Sequence, residues 1–94
     1  MASIQTIADF QLLLATAVAN MKQLVAEYHG DVFLESILRQ LEFVSEWTRN
    51  GQRPTDAQLK KLSFGVMADR AVSDLDPKVA QDLFRLANYL DHWQ

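Results

Sequence analysis

The residues of this chain that could support catalysis or bind a metal are few and widely spaced. Its 94 residues include two histidines, His29 and His92, and no cysteine. Neither histidine belongs to a His-x-x-x-His or Glu-x-x-His pair, the spacings that place two ligands on one helical face. Neither has a serine close in sequence that it could activate as a nucleophile. We therefore predict no catalytic residue, no metal site and no cofactor, and interpret both histidines as surface residues at helix ends.

A stripe of three carboxylates, Glu35, Glu42 and Glu46, recurs at helical spacing in the first half of the chain. Carboxylates from several helices can hold di-iron centres, but those groups project into a bundle and have histidine support. This stripe instead alternates with Arg39 and Arg49 on the side opposite the apolar residues. Two interpretations stay open: a solvated face with salt bridges, or an acidic surface that meets a partner.

Three aspartates and a tryptophan are further candidates for partner contacts. Asp69, Asp74 and Asp76 crowd the end of the third predicted helix and the turn after it. Asp76 precedes Pro77 and so has a capping role, but Asp69 falls where the helical pattern called for an apolar residue, and Asp74 has no structural duty. Trp47 lies one step outside the main apolar stripe, so it is either a core residue or an interface anchor.

Composition and charge limit the classes of partner. The net charge is −3, and the nine basic residues are scattered, so no stripe of cations could follow the phosphates of a nucleic acid. A mildly acidic protein is better suited to a basic protein surface. The apolar run 12–19 is too short to span a bilayer, and no signal-peptide pattern surrounds it. We expect a cytoplasmic protein, in keeping with the absence of cysteine.

The periodicity of apolar residues predicts four helices, over about 3–28, 31–49, 55–72 and 77–92. Short connections between them favour an all-α fold, a compact antiparallel four-helix bundle that forms a single domain over 1–94. Ser3 and Thr6 are alternative N-caps for the first helix, Thr55 and Gln58 predict a capping box, and Gly65 is expected to permit a close helix contact. The residues predicted at the centre of the core are Leu41, Val44, Leu62, Val66, Leu83 and Leu86.

Two segments carry a resemblance to a known family. The stretch 59–68 contains a Leu-x-x-Leu-x-aromatic-Gly-x-x-Ala run, and an acidic turn that ends in Asp76-Pro77 follows it. Upstream, the stretch 40–44 reads Gln-Leu-Glu-Phe-Val, which is similar to the Gln-Leu-x-aromatic-Ile/Val segment of the same family. From about residue 36 to about residue 90, the chain resembles small all-helical immunity proteins that neutralise NAD(P)⁺ glycohydrolase effectors of bacterial type VI secretion systems.

The resemblance implies a protein that is not an enzyme and that occludes the active site of a cognate toxin domain in a one-to-one complex. A pocket that accepts a polyanionic dinucleotide is expected to be basic, so an acidic inhibitor would complement it. The residues predicted to bind the toxin are Asp69, Asp74, Asp76, Glu42, Glu46 and Trp47. No nucleic acid, membrane or small-molecule substrate is expected. The alternative is a helical adaptor or structural protein that self-associates through its apolar first helix.

Overall fold

The computed structural model describes residues 6–93, which form four helices of eight or more residues and one single-turn helix. Their bounds are α1 Ile7–Glu27, α2 Val32–Trp47, α3 Asp56–Leu59, α4 Phe64–Ala71 and α5 Pro77–His92. Helix α1 packs against α2 and α5, and α4 packs against the same two helices, so the four longer helices surround one core. The fold is the all-α four-helix bundle that the periodicity predicts.

The beginning and end of α1 follow from local sequence. Thr6 is the N-cap, and its side chain accepts a hydrogen bond from the backbone N–H of Asp9. Residues 3–5 of the predicted helix, including the alternative cap Ser3, lie outside the described residues. Gly30 follows the helix with a φ of +84°, a left-handed conformation that favours glycine. The turn therefore returns the chain into α2 within four residues.

Two predicted N-terminal signals are confirmed at α3 and α5. Thr55 and Gln58 form both halves of a capping box, each side chain bonding to the other residue's backbone N–H. The Asp76 side chain accepts a hydrogen bond from the N–H of Val79, and Pro77 occupies the first helical position. An N-cap of this kind stabilises a helix by about 1 kcal/mol.

The predicted third helix, 55–72, is divided into α3 and α4 by a turn over residues 60–63. The Oε1 atom of Gln40 in α2 accepts a hydrogen bond of 2.7 Å from the N–H of Ser63 and holds the chain where α4 begins. The turn changes which residues of α4 face inward: Phe64 and Ala68 are buried. Val66, predicted at the centre of the core, is 66 % exposed, so that prediction is wrong.

The core otherwise contains the predicted residues together with side chains that the pattern did not indicate. Leu41, Val44, Leu83 and Leu86 are fully buried, whereas Leu62 packs at the edge of the core. In α1 the inward face is formed by Phe10, Leu14, Ala17, Met21 and Leu24.

An aromatic cluster explains why Phe10 points inward. Its ring stacks on Tyr89 of α5 at 4.9 Å between centroids and lies 5.4 Å from the ring of Trp93. Tyr89 and Trp93 also contact each other at 5.3 Å. Aromatic pairs at these separations stabilise beyond the area that they bury. The cluster fastens the beginning of α1 to the end of α5.

Helices α4 and α5 approach each other closely at Gly65. A Cβ placed on Gly65 would lie 2.9 Å from the Cβ of Ala87, closer than two side-chain carbons can pack. The prediction that Gly65 permits a close helix contact is confirmed. Because Gly65 lies in the first turn of α4, this contact positions that helix against the bundle.

The connection between α2 and α4 is attached to the C-terminal end of α5. The Nε atom of Arg53 donates a hydrogen bond of 2.7 Å to the carbonyl oxygen of Trp93, and its Nη1 atom donates to that of Pro54. Its Nη2 atom forms an ion pair with Asp56 at 3.0 Å. Pro54 is buried, so one arginine side chain and one proline hold α3 beside the bundle.

Candidate functional site

The six residues predicted to bind a partner do not form one cluster. Asp69 lies on the outer side of α4, where it is exposed. The turn that ends at Ser63 explains this exposure, because the buried residues Phe64, Ala68 and Val72 define the inner face and leave Asp69 outside it. Its position is therefore ordinary for a surface carboxylate, and the apolar residue that the pattern called for is not required there.

Asp74 and Asp76 lie in the turn between α4 and α5 but have different surroundings. Asp76 is half-buried and its side chain caps α5. Asp74 is exposed, and its carboxylate forms no hydrogen bond or ion pair with any residue in the range 6–93. Of these two side chains, Asp74 is the one that can meet a partner without the loss of a cap.

Glu42 and Glu46 are exposed, but they lie on a different side of α2 from Trp47. Ser45 and Thr48 face α1, where Gln11 donates a hydrogen bond to the carbonyl oxygen of Thr48. At about 100° per residue, Trp47 points about 140° away from Glu42 and about 100° away from Glu46, so the indole and the two carboxylates lie on different sides of the helix.

The surroundings of Trp47 favour its structural interpretation. Its side chain is half-buried, packs against the core and stacks on Phe43 with 5.8 Å between ring centroids. Phe43 is the more exposed of the two rings, at 46 %. If the end of α2 offers an aromatic ring to a partner, Phe43 presents more of its surface than Trp47 does.

A groove of about 480 Å³ lies between α2, α4 and the turn after α4. Hereafter it is called the α2/α4 groove. Its lining residues are Asp31, Phe33, Val66, Met67, Arg70, Ala71, Asp74 and Leu75. Three apolar side chains are well exposed in it, namely Phe33 at 59 %, Val66 at 66 % and Leu75 at 38 %. It combines an apolar floor with charged groups, a composition suited to binding another molecule.

Sequence reasoning placed Asp74 at a binding surface but missed the apolar residues beside it. One signal was available: Val32, Phe33 and Leu34 are three successive apolar residues at the beginning of a helix. Because successive residues on a helix point about 100° apart, all three could not enter the core. Only Leu34 is buried, and the other two are exposed.

A polar cluster that includes Met67 of the groove joins α2 to α4. The Nε2 atom of Gln40 lies 3.2 Å from Ser36 Oγ, 3.3 Å from Ser63 Oγ and 3.4 Å from the Sδ atom of Met67. Ser63 Oγ donates to the same sulfur at 3.4 Å. These contacts join side chains of α2 and α4 directly, so the wall formed by Met67 is fixed by hydrogen bonds as well as by packing.

The groups that could do chemistry are isolated from one another. His29 and His92 are both exposed, and the Nδ1 atom of His92 lies 2.8 Å from the carbonyl oxygen of Asn88. No group of three or more His, Asp or Glu side chains within residues 6–93 is arranged to hold a metal ion. In the same range, no helix combines the length and apolar character needed to cross a membrane.

The comparison with protein families assigns the chain to one of them. The family model described as Tsi6 matches residues 11–92, which include all of α2, α3, α4 and α5 and most of α1. No curated protein and no solved structure matches the chain. The matched region contains both segments that carry the resemblance noted above. The observed helices also agree with the all-helical fold that the resemblance implies. The chain therefore belongs to the Tsi6 family, a family of immunity proteins for the NAD(P)⁺ glycohydrolase effectors of type VI secretion systems.

Proposed function

We propose that this protein binds the toxin domain of a cognate type VI effector in the cytoplasm of the producing cell and occludes its active site. The observation that carries the proposal is the family match over residues 11–92. The proposed target is an effector that consumes NAD(P)⁺, and the proposed complex contains one copy of each protein. The inhibitor supplies no chemistry, since covering the pocket is enough to exclude the dinucleotide.

The charge of the protein supports this target. The chain has a formal charge of −3, and the dinucleotide pocket of a glycohydrolase must attract phosphates. An inhibitor of opposite charge to that pocket would associate faster and in a defined orientation. The acidic surface that we propose for toxin contact includes Asp69 and Asp74. Asp76, Glu42, Glu46 and Trp47 are proposed to extend it, with Asp76 also capping α5.

Both ends of this surface can be reached by one partner only if the interface is elongated. Glu46 lies fifteen residues beyond Asp31 on α2, which is about 22 Å at the helical rise of about 1.5 Å per residue. Standard interfaces bury about 800 Å² on each partner, an area that can span this distance. The aspartates beside the α2/α4 groove and the glutamates of α2 can therefore be tested separately.

The function is tested by co-expression with the toxin domain of the cognate effector. Cells that produce the toxin should lose NAD(P)⁺ and stop growing, and co-production of this protein should restore both. A catalytically inactive toxin domain, purified with this protein, should form a heterodimer by light scattering. Continued NAD(P)⁺ loss in cells that contain the folded protein would contradict the proposal.

Charge reversal tests the acidic surface. Asp69→Lys and Asp74→Lys together should slow association with the inactive toxin domain, and the remaining rate should depend less on salt. The melting temperature should barely change, because exposed charges contribute within about 0.5 kcal/mol. Asp91→Lys, an exposed charge reversal at the opposite end of α5 from Asp76, is the matched control. Unchanged kinetics in the folded double variant would exclude this pair of aspartates from the interface.

One observation favours the alternative of a self-associating adaptor. The outer side of α1 exposes Leu12 at 71 %, together with the small side chains of Ala8, Ala15 and Ala19. Helices with small residues can approach each other closely, so this side could pack against a second copy. Light scattering of the free protein distinguishes the two functions: the immunity proposal expects a monomer, and the adaptor expects a dimer that Leu12→Glu dissociates.

A further inference from the structure

The α2/α4 groove contains three apolar side chains that are exposed rather than packed in the core. Phe33, Val66 and Leu75 line one concavity and are 59 %, 66 % and 38 % exposed. Exposed apolar side chains that line one concavity together with charged groups are typical of binding sites. The core beneath them is complete without them, because Leu34 and Ala68 fill the adjacent inward positions with no exposed surface. These three side chains are therefore available for a partner.

The charged groups of the groove are also available. Neither Arg70 nor Asp74 forms an ion pair or side-chain hydrogen bond with a residue in the range 6–93, although both line the same concavity. Asp31 is the third charged residue of the lining, and its Oδ1 atom accepts the N–H groups of Phe33 and Leu34 as the cap of α2. With two carboxylates and one guanidinium, the lining carries a net negative charge, and Asp69 is exposed on the outer side of the same helix.

We infer that the α2/α4 groove receives an apolar side chain of the toxin domain with a lysine or arginine of the toxin beside it. The inference rests on the proposed function and specifies the surface that would carry most of the binding energy. The apolar side chain would pack between Phe33, Val66 and Leu75, and the toxin's cation would pair with Asp74. The stem of Arg70 lines the groove, and its guanidinium remains free to bind a carboxylate at the rim.

The chemistry of the proposed partner favours this occupant over others. A toxin domain that binds the phosphates of NAD(P)⁺ must carry cations around its pocket, and the net charge of the groove attracts them. Interfaces draw most of their energy from a few aromatic and arginine residues in a central pocket from which water is excluded. Phe33 and Arg70 are residues of those types, and both are exposed at the groove.

The test measures binding of the catalytically inactive toxin domain to variants of the full chain by calorimetry. Phe33→Ala should weaken binding by about 10- to 100-fold, as truncation of a central anchor does. Val66→Ser should weaken binding as well. Leu12→Ala is the matched control, because Leu12 is 71 % exposed on α1 outside the groove, and it should bind like the parent. Thermal unfolding confirms that each variant is folded, since neither Phe33 nor Val66 is part of the core.

The outcomes separate the two proposals. If the parent protein does not bind the toxin domain, the proposed function fails. If the parent binds, and Phe33→Ala and Val66→Ser bind equally well, the groove is excluded and the proposed function stands. A free protein that is a dimer and becomes a monomer on Phe33→Asp would also overturn the inference, because a second copy would then occupy the groove. Asp74→Asn tests the proposed ion pair: it should slow association with the toxin domain without a change in melting temperature.

Discussion

The substitution Gly65→Ala tests the contact that positions α4, and with it Val66 and the α2/α4 groove. Gly65 lies in the first turn of α4, and an alanine methyl at this position would be 2.9 Å from the Cβ of Ala87. That neighbour cannot rotate away, because a Cβ moves only with its backbone. The helices must therefore separate by several tenths of an ångström to reach ordinary contact.

Two opposing contributions set the expected change in the free energy of unfolding of Gly65→Ala. Alanine is favoured over glycine inside a helix by about 1 kcal/mol, which would stabilise the variant. An extra methyl in a packed contact costs about 1–3 kcal/mol, because neighbouring atoms must shift. The steric term is the larger, so the free energy of unfolding should fall by about 1 kcal/mol. For a chain of this size the melting temperature should fall by about 4–8 °C.

A double-mutant cycle with Ala87→Gly isolates the contact. Ala87→Gly alone should destabilise by about 1 kcal/mol through helix propensity. In the double variant the methyl group moves from α5 to α4, the propensity terms cancel, and the steric conflict disappears. The double variant should be more stable than the sum of the single changes predicts, by about 1–2 kcal/mol. Ala19→Gly, on the exposed side of α1, is the control that reports the propensity term alone.

Urea unfolding followed by circular dichroism measures the parent, the two single variants, the double variant and the Ala19→Gly control under one set of conditions. The contact between Gly65 and Ala87 is refuted if Gly65→Ala raises the urea midpoint by the amount that helix propensity alone predicts. It is also refuted if the effects of the two single changes simply add in the double variant. Either result would mean that α4 and α5 do not meet at Gly65 and Ala87.

Three further predictions follow from burial, capping and the isolation of the histidines. Leu86→Ala should lower the free energy of unfolding by about 2–5 kcal/mol because Leu86 is fully buried. Val66→Ala should change it by less than about 0.5 kcal/mol because Val66 is exposed. Equal losses for the two variants in urea unfolding would contradict the assigned core. Thr55→Ala removes one half of the capping box and should destabilise by about 1 kcal/mol, whereas a variant that unfolds at the parent's midpoint would show that α3 does not depend on its cap. His29→Ala and His92→Ala should protect cells from the toxin as well as the parent does, and loss of protection in either folded variant would reveal a chemical role.

Elements that depend on neighbouring residues were predictable from the sequence. The starts of α1, α3 and α5 follow Thr6, Thr55 and Asp76, because a capping side chain bonds to a backbone N–H only three residues away. The division of the third predicted helix was not predictable in the same way. It involves Gln40, which is 23 residues from Ser63 in sequence and meets it only when α2 and α4 are already packed.

The same distinction applies to the core and to the candidate site. Phe10 was missed because its burial depends on Tyr89 and Trp93, nearly the whole length of the chain away. Asp74 was recognised because the sequence gives its carboxylate no helix to cap. Its partners in the α2/α4 groove were missed because Phe33 joins them only through the packing of α2 on α4.

The few contacts that attach α3 to the bundle indicate that α3 unfolds locally before the rest of the protein. None of its four residues is buried, so it depends on the buried Pro54, on its cap and on the link from Arg53 to the end of α5. Local opening of α3 exposes little apolar surface and therefore needs far less free energy than opening of the bundle. In native-state hydrogen exchange, the amide of Lys60, which donates to the carbonyl oxygen of Asp56, should lose its protection well before the amides in the middle of α2. A toxin seated in the α2/α4 groove would slow exchange in α4 and leave Lys60 unchanged, so the amides of α3 serve as a reference inside the same molecule.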